Sequence, residues 1–213
     1  MTEGSTTITS STGGLKGLEG KLIAITYEGG RLKTRVTSVQ SQNQATVEDA
    51  SPVTITEPGW ANAVAGSDDS SAIQACIASG RTVYFPNGVY LLWNDGIQIE
   101  SALMGVKLTG VSTSGAVIEF CGDGPAIRVG DGSANTSHHH IENLYISITC
   151  AGPNATGVYV TPSHYCRLMH SYINSQALYF FEEMQQVGLV LDGAGYEKSF
   201  GANFYWESNV IKG

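Results

Sequence analysis

With 213 residues, of which 26 are glycine and only 14% are charged, the chain suits a rigid, turn-rich β domain with a small appendage rather than a helical or disordered protein. Its formal charge of −8 argues against a nucleic-acid-binding surface and gives no attraction to anionic membranes. No apolar run approaches the roughly 18 residues of a membrane span, and the opening MTEGSTTITSS has neither the basic nor the apolar part of a signal peptide, so a soluble cytosolic product is expected.

In chain order, residues 1–19 are rich in Ser, Thr and Gly and read as a flexible or partner-dependent arm. Residues 21–27, 31–39 and 44–48 follow as three short strands, with Glu28, Gly29 and Gly30 turning the first into the second. Together they predict a small antiparallel unit within residues 20–66, of which residues 52–66 are a linker. Then comes the densest signal in the chain, SDDSSAIQACIASGRTVYFPNGVYLL over residues 67–92. Ser67, Asp68 or Asp69 N-caps a helix, and the remaining carboxylates sit at the positive end of its dipole. Ala72, Ile73, Cys76 and Ile77 fall at helical spacing as one narrow apolar stripe, and Gly80 stops the helix. Residues 82–85 and 89–92 read as strands around the turn Pro86, Asn87 and Gly88. So short a helix cannot stand alone and must lie on something apolar.

The paired aspartates, the AIQxxI helix and VYFPxGxY resemble the start of the right-handed parallel β-helix of the pectate-lyase-like superfamily, above all the tailspike depolymerases of bacteriophages. In that family the helix plugs the N-terminal end of the hydrophobic bore. The run RVTSVQSQNQATVEDASP is similar to the small β region that often precedes the helix in tail proteins. The resemblance implies an all-β fold: an antiparallel unit, a capping helix and a parallel β-helix over residues 67–213.

Downstream, GVKLTGV, ENLYISI, CRLMHSYI and NFYWESNVI share a short strand with alternating apolar residues, and AVIEF with AIRV, GVYV and VGLVL supply further strands. Leu108, Leu144, Leu168 and Phe204 mark the repeat, and the uneven spacing between them suits a solenoid with turn loops of variable length. About three to four coils fit, stacked in parallel with aliphatics inside and the outer faces free for ligand. The last coil has no visible cap, so either partner chains cover it or the chain is part of a longer protein. An antiparallel sandwich also gives many short strands, yet it calls for no plug helix.

Cys76, Cys121, Cys150 and Cys166 lack any CxxC spacing and read as small buried hydrophobes. His138, His139 and His140 cannot all face one ion, so they read as a loop edge, with no metal and no cofactor expected. The sequons at Asn135 and Asn154 matter only in a secreted protein. No GxSxG, HExxH, Walker or dinucleotide fingerprint is present.

A glycosidase needs two carboxylates on one solvent face, about 5–5.5 Å apart for retention or about 6.5–9.5 Å for inversion. No sequence spacing encodes that geometry, since the acids can come from different coils. Glu100, Glu119, Asp123, Asp131 and Glu142 lie in the strand-rich part, but the densest cluster is C-terminal. There Glu183, Asp192 and Glu207 are candidate catalytic acids, and Tyr196, Tyr205 and Trp206 candidate sugar-stacking residues, beside Tyr179, Phe180, Phe181, Glu182 and Glu197. The same aromatics would equally fill the core or a trimer interface. A lyase would draw its base and uronate-binding cation from Arg128, Arg167 and His170.

The expectation is a phage tailspike or tail-fibre protein in the virion tail, which recognises and depolymerises a bacterial surface polysaccharide. The resemblance implies a homotrimer that contacts other virion tail proteins, with no nucleic acid and no membrane insertion. A non-enzymatic tail module and a cellular pectate-lyase-like enzyme are the alternatives, the last disfavoured by the lack of a signal peptide.

Overall fold

The computed structural model describes residues 1–27, 29–56, 62–80, 82–131, 136–161, 163–174, 187–191, 205–207 and 210–212, with the backbone alone at 62, 136–137, 163–164, 187–188, 205–207 and 210–212. Five strands open the chain: β1 (Thr7–Thr9), β2 (Leu22–Tyr27), β3 (Gly30–Ser41), β4 (Gln44–Val47) and β5 (Asn62–Gly66). They form one antiparallel sheet in the order β1-β4-β3-β2-β5. Two sequence expectations change here. The predicted arm is ordered: β1 pairs with β4, and Ile8 and Leu15 are buried with Ile23, Ile25, Val36, Ala45 and Val47. Thr7 and Thr9 occupy alternate strand positions around a single inward isoleucine, which composition alone hides. The predicted linker also ends in β5, which pairs with β2.

Helix α1 (Ser70–Gly80) follows. The Asp69 carbonyl accepts the first helical bond from Ile73, and the Asp68 carboxylate accepts the Ser70 amide at 3.0 Å and its hydroxyl at 2.6 Å. Asp69 instead accepts the Leu91 amide at 3.0 Å, so the second aspartate fastens the helix start to the first coil. The apolar stripe is narrower than its spacing suggests. Ile73 and Ile77 are buried in the bore, whereas Ala72 and Cys76 are exposed. Gln74 completes the plug, donating to the Gln98 carbonyl at 2.7 Å and accepting its amide at 3.0 Å.

A parallel β-solenoid then builds three sheets, each of the first four coils giving one strand to each. The first sheet holds β6 (Thr82–Phe85), β9 (Lys107–Gly110), β13 (His140–Glu142), β17 (Arg167–Met169) and β20 (Tyr205–Glu207). The second holds β7 (Gly88–Leu92), β10 (Ala116–Phe120), β14 (Tyr145–Ser147), β18 (Tyr172–Asn174) and β21 (Val210–Lys212). The third holds β8 (Ile97–Ile99), β11 (Pro125–Val129), β15 (Thr156–Val160) and β19 (Val187–Leu191), and β12 (Thr136–Ser137) with β16 (Ser163–His164) adds a short outer ladder.

Identical register stacks like on like. Val83, Leu108, Ile141 and Leu168 form one inward column, Ile118, Ile146 and Ile173 a second, and Ile97, Ile127 and Val158 a third. All ten are buried in a single core that α1 closes at one end. The repeat markers therefore differ from expectation at two positions. In the last coil, Leu168 pairs with Trp206 rather than Phe204. Ile141, not Leu144, aligns with Leu108 and Leu168, and Leu144 lies buried at the corner between the first and second sheets. At the matching corner of the previous coil, a Cβ on Gly110 would run into the Asn143 carbonyl, so only glycine fits where the coils pass so closely.

The antiparallel unit docks on the second sheet. Ala24 meets Leu91, Cys121 and Cys150 in an apolar contact, with Leu22, Val64 and Trp93 beside them. Around it, Lys33 Nζ donates to the Trp93 carbonyl at 2.6 Å, Asn94 Oδ1 at 2.8 Å and the Cys121 carbonyl at 2.9 Å, and lies 4.5 Å over the Trp93 ring. Arg31 donates to the carbonyls of Cys121 and Gly122 and pairs with Asp123 at 3.7 Å.

Candidate functional site

Strand alternation sends every second residue of the first sheet outward, and parallel register lines those residues up in columns about 4.8 Å per rung. One column reads Thr82, Lys107, His140, Arg167 and the position of Tyr205; the other reads Tyr84, Thr109, Glu142, Met169 and the position of Glu207. The result is an outer face that carries Lys107 and Arg167 along one edge, with His140 between them, and is mixed along the other.

Corner geometry adds rings to this face. Each of three coils enters the first sheet through a left-handed residue followed by a buried one: Gly105 and Val106, His138 and His139, Tyr165 and Cys166. His138 at φ 62° and Tyr165 at φ 55° hold a conformation that side chains with a Cβ rarely adopt. Their rings stack at 4.9 Å with an interplanar angle of 18°, and Tyr165 is 47% exposed. Two residues on, His140 and Arg167 point outward. The exposed aromatic ladder thus borders the column of Lys107, His140 and Arg167, which is what a ring-shaped, hydroxyl-rich ligand would use.

The three histidines expected at a loop edge therefore take three different places. His138 is the exposed corner, His139 is 1% exposed, and His140 stands half-buried on the sheet. His139 Nδ1 accepts the Val106 amide at 3.2 Å, and burial, reinforced by His138 and His140, pushes its pKa down to about 4. It is a neutral structural hydrogen-bonding group. Burial first, and then the Arg167 charge, also lower His140, which is neutral at pH 7 despite Glu142. Among the described residues, no group of three His, Cys, Asp or Glu is placed to hold a metal ion.

Glu142 is the described carboxylate of this face. Lys107 Nζ lies 2.5 Å from its Oε1, and the Thr109 hydroxyl donates to it at 3.0 Å. Burial would raise its pKa, but these two hydrogen bonds and the Lys107 charge outweigh burial and hold it below the usual carboxylate range. Such a group stays ionised and serves as an acceptor or base, not as a proton donor.

The residues singled out in the sequence are only partly placed. Glu183, Asp192 and Tyr196 lie outside the described residues. Tyr205, Trp206 and Glu207 are consecutive in β20, whose register sets Trp206 against Leu168 of the inward column, and Tyr205 and Glu207 against Arg167 and Met169 of the outward ones. Glu207 thus stands two rungs from Glu142, about 9.6 Å along the sheet. The lyase candidates are not brought together. Arg128 lies 5.3 Å over the Tyr159 ring on the third sheet, Arg167 is on the first, and His170 is an exposed corner at φ 49°.

Glu142, Lys107, His140 and Tyr165 went unselected in the sequence. The signal that finds them is an aligned pentad: GVKLT, HHHIE and YCRLM, each reading corner, buried, outward, inward, outward. Compared with protein-family models, curated proteins and solved structures, the chain matches none of them.

Proposed function

We propose that this chain is a glycan-recognition module of the phage tailspike kind, which binds a bacterial surface polysaccharide along the outer face of the first solenoid sheet. The observation that carries the reading is the juxtaposition, coil after coil, of the stacked His138 and Tyr165 rings with the outward His140 and Arg167. Rings present flat apolar surface to a pyranose, the polar column meets hydroxyls and acidic substituents, and the repeat along the solenoid suits an extended polymer. Assembly as a homotrimer with other virion tail proteins belongs to the same reading.

Cleavage belongs to it if Glu207 completes a pair with Glu142, whose depressed pKa suits the base and leaves the acid to the other residue. The engagement of Glu142 by Lys107 and Thr109 favours a second reading, in which the module binds without cutting and serves as a connecting tail element.

The test is titration of the chain with a panel of capsular and lipopolysaccharide glycans, together with release of reducing ends. Binding of one glycan, weakened at least tenfold by Tyr165→Ala or Arg167→Ala with the fold intact, is the expected result. Absence of binding across the panel, or equal binding by both variants, sinks the reading. Reducing ends that vanish in Glu142→Gln separate the depolymerase from the binding module.

A further inference from the structure

A second site lies on a different sheet from the glycan face, at the seam between the two parts of the molecule. The outward row of the second sheet runs Leu91, Glu119, Ser147 and Asn174 in register. Leu91 is sealed under the antiparallel unit, but further along the row the seam opens into a cleft of about 200 Å³, walled by Ala63 and Val64 of β5 on one side and by Glu119, Tyr145, Ser147 and Asn174 on the other. Among the described residues, two acceptors inside it have no hydrogen-bond partner: Glu119 Oε2 and Asn174 Oδ1, both buried. Asn174 is only 6% exposed, so its oxygen is held in place rather than free to turn to solvent.

Orphaned buried acceptors are uncommon, and each costs free energy comparable to a lost hydrogen bond. Here the two stand two rungs apart in one row, with Ser147 on the coil between them, and line one cleft. The remaining lining supplies hydroxyls, with Ser147 and Thr149 bonded to each other at 3.1 Å. No cation among the described residues lines the cleft, although it contains a carboxylate. A ligand that would satisfy this lining at once is a donor of several N–H groups that carries one positive charge.

We propose that this cleft is a binding site for a primary ammonium group, whose N–H bonds go to Glu119 Oε2, Asn174 Oδ1 and one of the hydroxyls. Charge count and donor count select it. One carboxylate matches one ammonium, and three N–H donors match two orphaned oxygens and a hydroxyl. A divalent metal would leave a net charge in the cleft and wants six to eight oxygens in the case of calcium. Volume agrees, since about 200 Å³ is several water molecules' share of liquid and accepts a two- or three-carbon amine. Burial without a counter-charge raises the Glu119 pKa against the lowering effect of its Ser147 hydrogen bond, and a bound ammonium would supply that counter-charge.

The experiment uses the full chain and small probes. Ethanolamine is titrated at pH 8 by calorimetry and thermal denaturation, beside ethylene glycol and potassium chloride at matched concentrations. A saturable response to ethanolamine alone is expected, reduced at least tenfold in Glu119→Gln and in Asn174→Leu. Glu119→Gln keeps the side-chain shape, so a folded control is available even if Asn174→Leu fails to fold. D-Glucosamine and Nα-acetyllysinamide carry the same ammonium on a sugar and on a peptide, and the tighter of the two identifies its carrier. Equal responses to ethanolamine and ethylene glycol, a response to potassium chloride that matches that to ethanolamine, or an unchanged response in Glu119→Gln each overturn the proposal.

Discussion

The antiparallel unit and the solenoid are built from similar short strands and specify their positions in opposite ways. In the antiparallel unit, strands that follow each other pair through tight turns, as β2 with β3 and β3 with β4, so register is fixed within a few residues of sequence. In the solenoid, partners are a full coil apart. Val83, Leu108, Ile141 and Leu168 are 25, 33 and 27 residues apart by subtraction of residue numbers, yet they share one column. Loop length varies while the column does not, so the bore itself sets the register. A fault in the bore is therefore felt by the coils on both sides, whereas a fault in the antiparallel core stays within its own small cluster.

That contrast can be broken most directly in the bore. Phe120 is 1% exposed and belongs to the core that runs from α1 down the solenoid. Phe120→Ala is expected to cost about 3–5 kcal/mol. Val36→Ala, at a fully buried site of the antiparallel core, removes less volume and is expected to cost about 2 kcal/mol. Denaturant unfolding of both variants checks the order, and a larger loss for Val36→Ala would contradict the shared-bore account.

The next effect is a pH dependence located in one coil corner. His139 has a folded pKa of about 4 against about 6.5 in the unfolded chain, so the unfolded state binds more protons between those values. Stability contributed by the neutral ring is complete above about pH 6.5 and falls as pH drops toward 4, by up to about 3 kcal/mol. Urea midpoints across that range measure the slope. His139→Asn is expected to flatten it, and a slope unchanged in the variant would locate the effect elsewhere.

The difference between the two regions also decides what was legible in the sequence. The hairpin strands, α1, β6 and β7 could be read locally, because alternation, the paired aspartates and the Pro86, Asn87, Gly88 turn all lie within one short window. The columns could not. His139 and Cys166 fill, on the next two coils, the buried corner position that Val106 fills; cysteine reads as buried but histidine does not announce burial, and neither residue shows the shared position. Leu144, an apolar residue in a strand-like run, drew the repeat alignment three places past Ile141. The face that carries Lys107, His140, Glu142 and Arg167 exists only once that register is known, so the C-terminal cluster, dense in sequence, attracted the site assignment instead. The Glu119 cleft needed still more, since one of its walls comes from β5 in the other part of the chain.

The seam between the two regions supplies a third, smaller effect. Lys33 has its pKa lowered by burial and by Arg31, yet its ammonium meets two carbonyls, an amide oxygen and an aromatic face. Lys33→Met keeps the stem and removes the donors, taking their lysine partner from the Trp93 carbonyl and Asn94 Oδ1 while Arg31 still donates to the Cys121 carbonyl. A loss of about 1–3 kcal/mol is expected. If the two regions unfold together in the wild type, the variant should separate their transitions, seen as hydrogen exchange in β2 and β3 that runs ahead of exchange in β10 and β14. Concerted exchange at the wild-type rate would mean that the apolar contact of Ala24 with Leu91 and Cys150 holds the seam without the lysine.

The smallest effect has the opposite sign and comes from the same seam. Burial raises the Glu119 pKa above its unfolded value, so in the absence of a bound cation the folded state holds the proton more tightly than the unfolded chain does. The stability linked to that proton is complete below the unfolded pKa and is lost as pH rises through the folded one. Once ionised, the carboxylate, with Oε2 unpartnered among the described residues, is a net cost. Tyr145, Cys121 and Cys150 face the same region, and burial raises the pKa of each, so they stay neutral there and add no second negative charge. Glu119→Gln removes the charge and supplies an amide whose N–H groups can reach acceptors in the cleft. It is expected to stabilise the chain by about 1 kcal/mol at pH 7, with the gain shrinking as pH is lowered and Glu119 takes up its proton. Thermal denaturation of both proteins at pH 7 and pH 4 decides it. A gain that grows on acidification would mean that Glu119 is stabilised as the anion, by a partner that the cleft already holds.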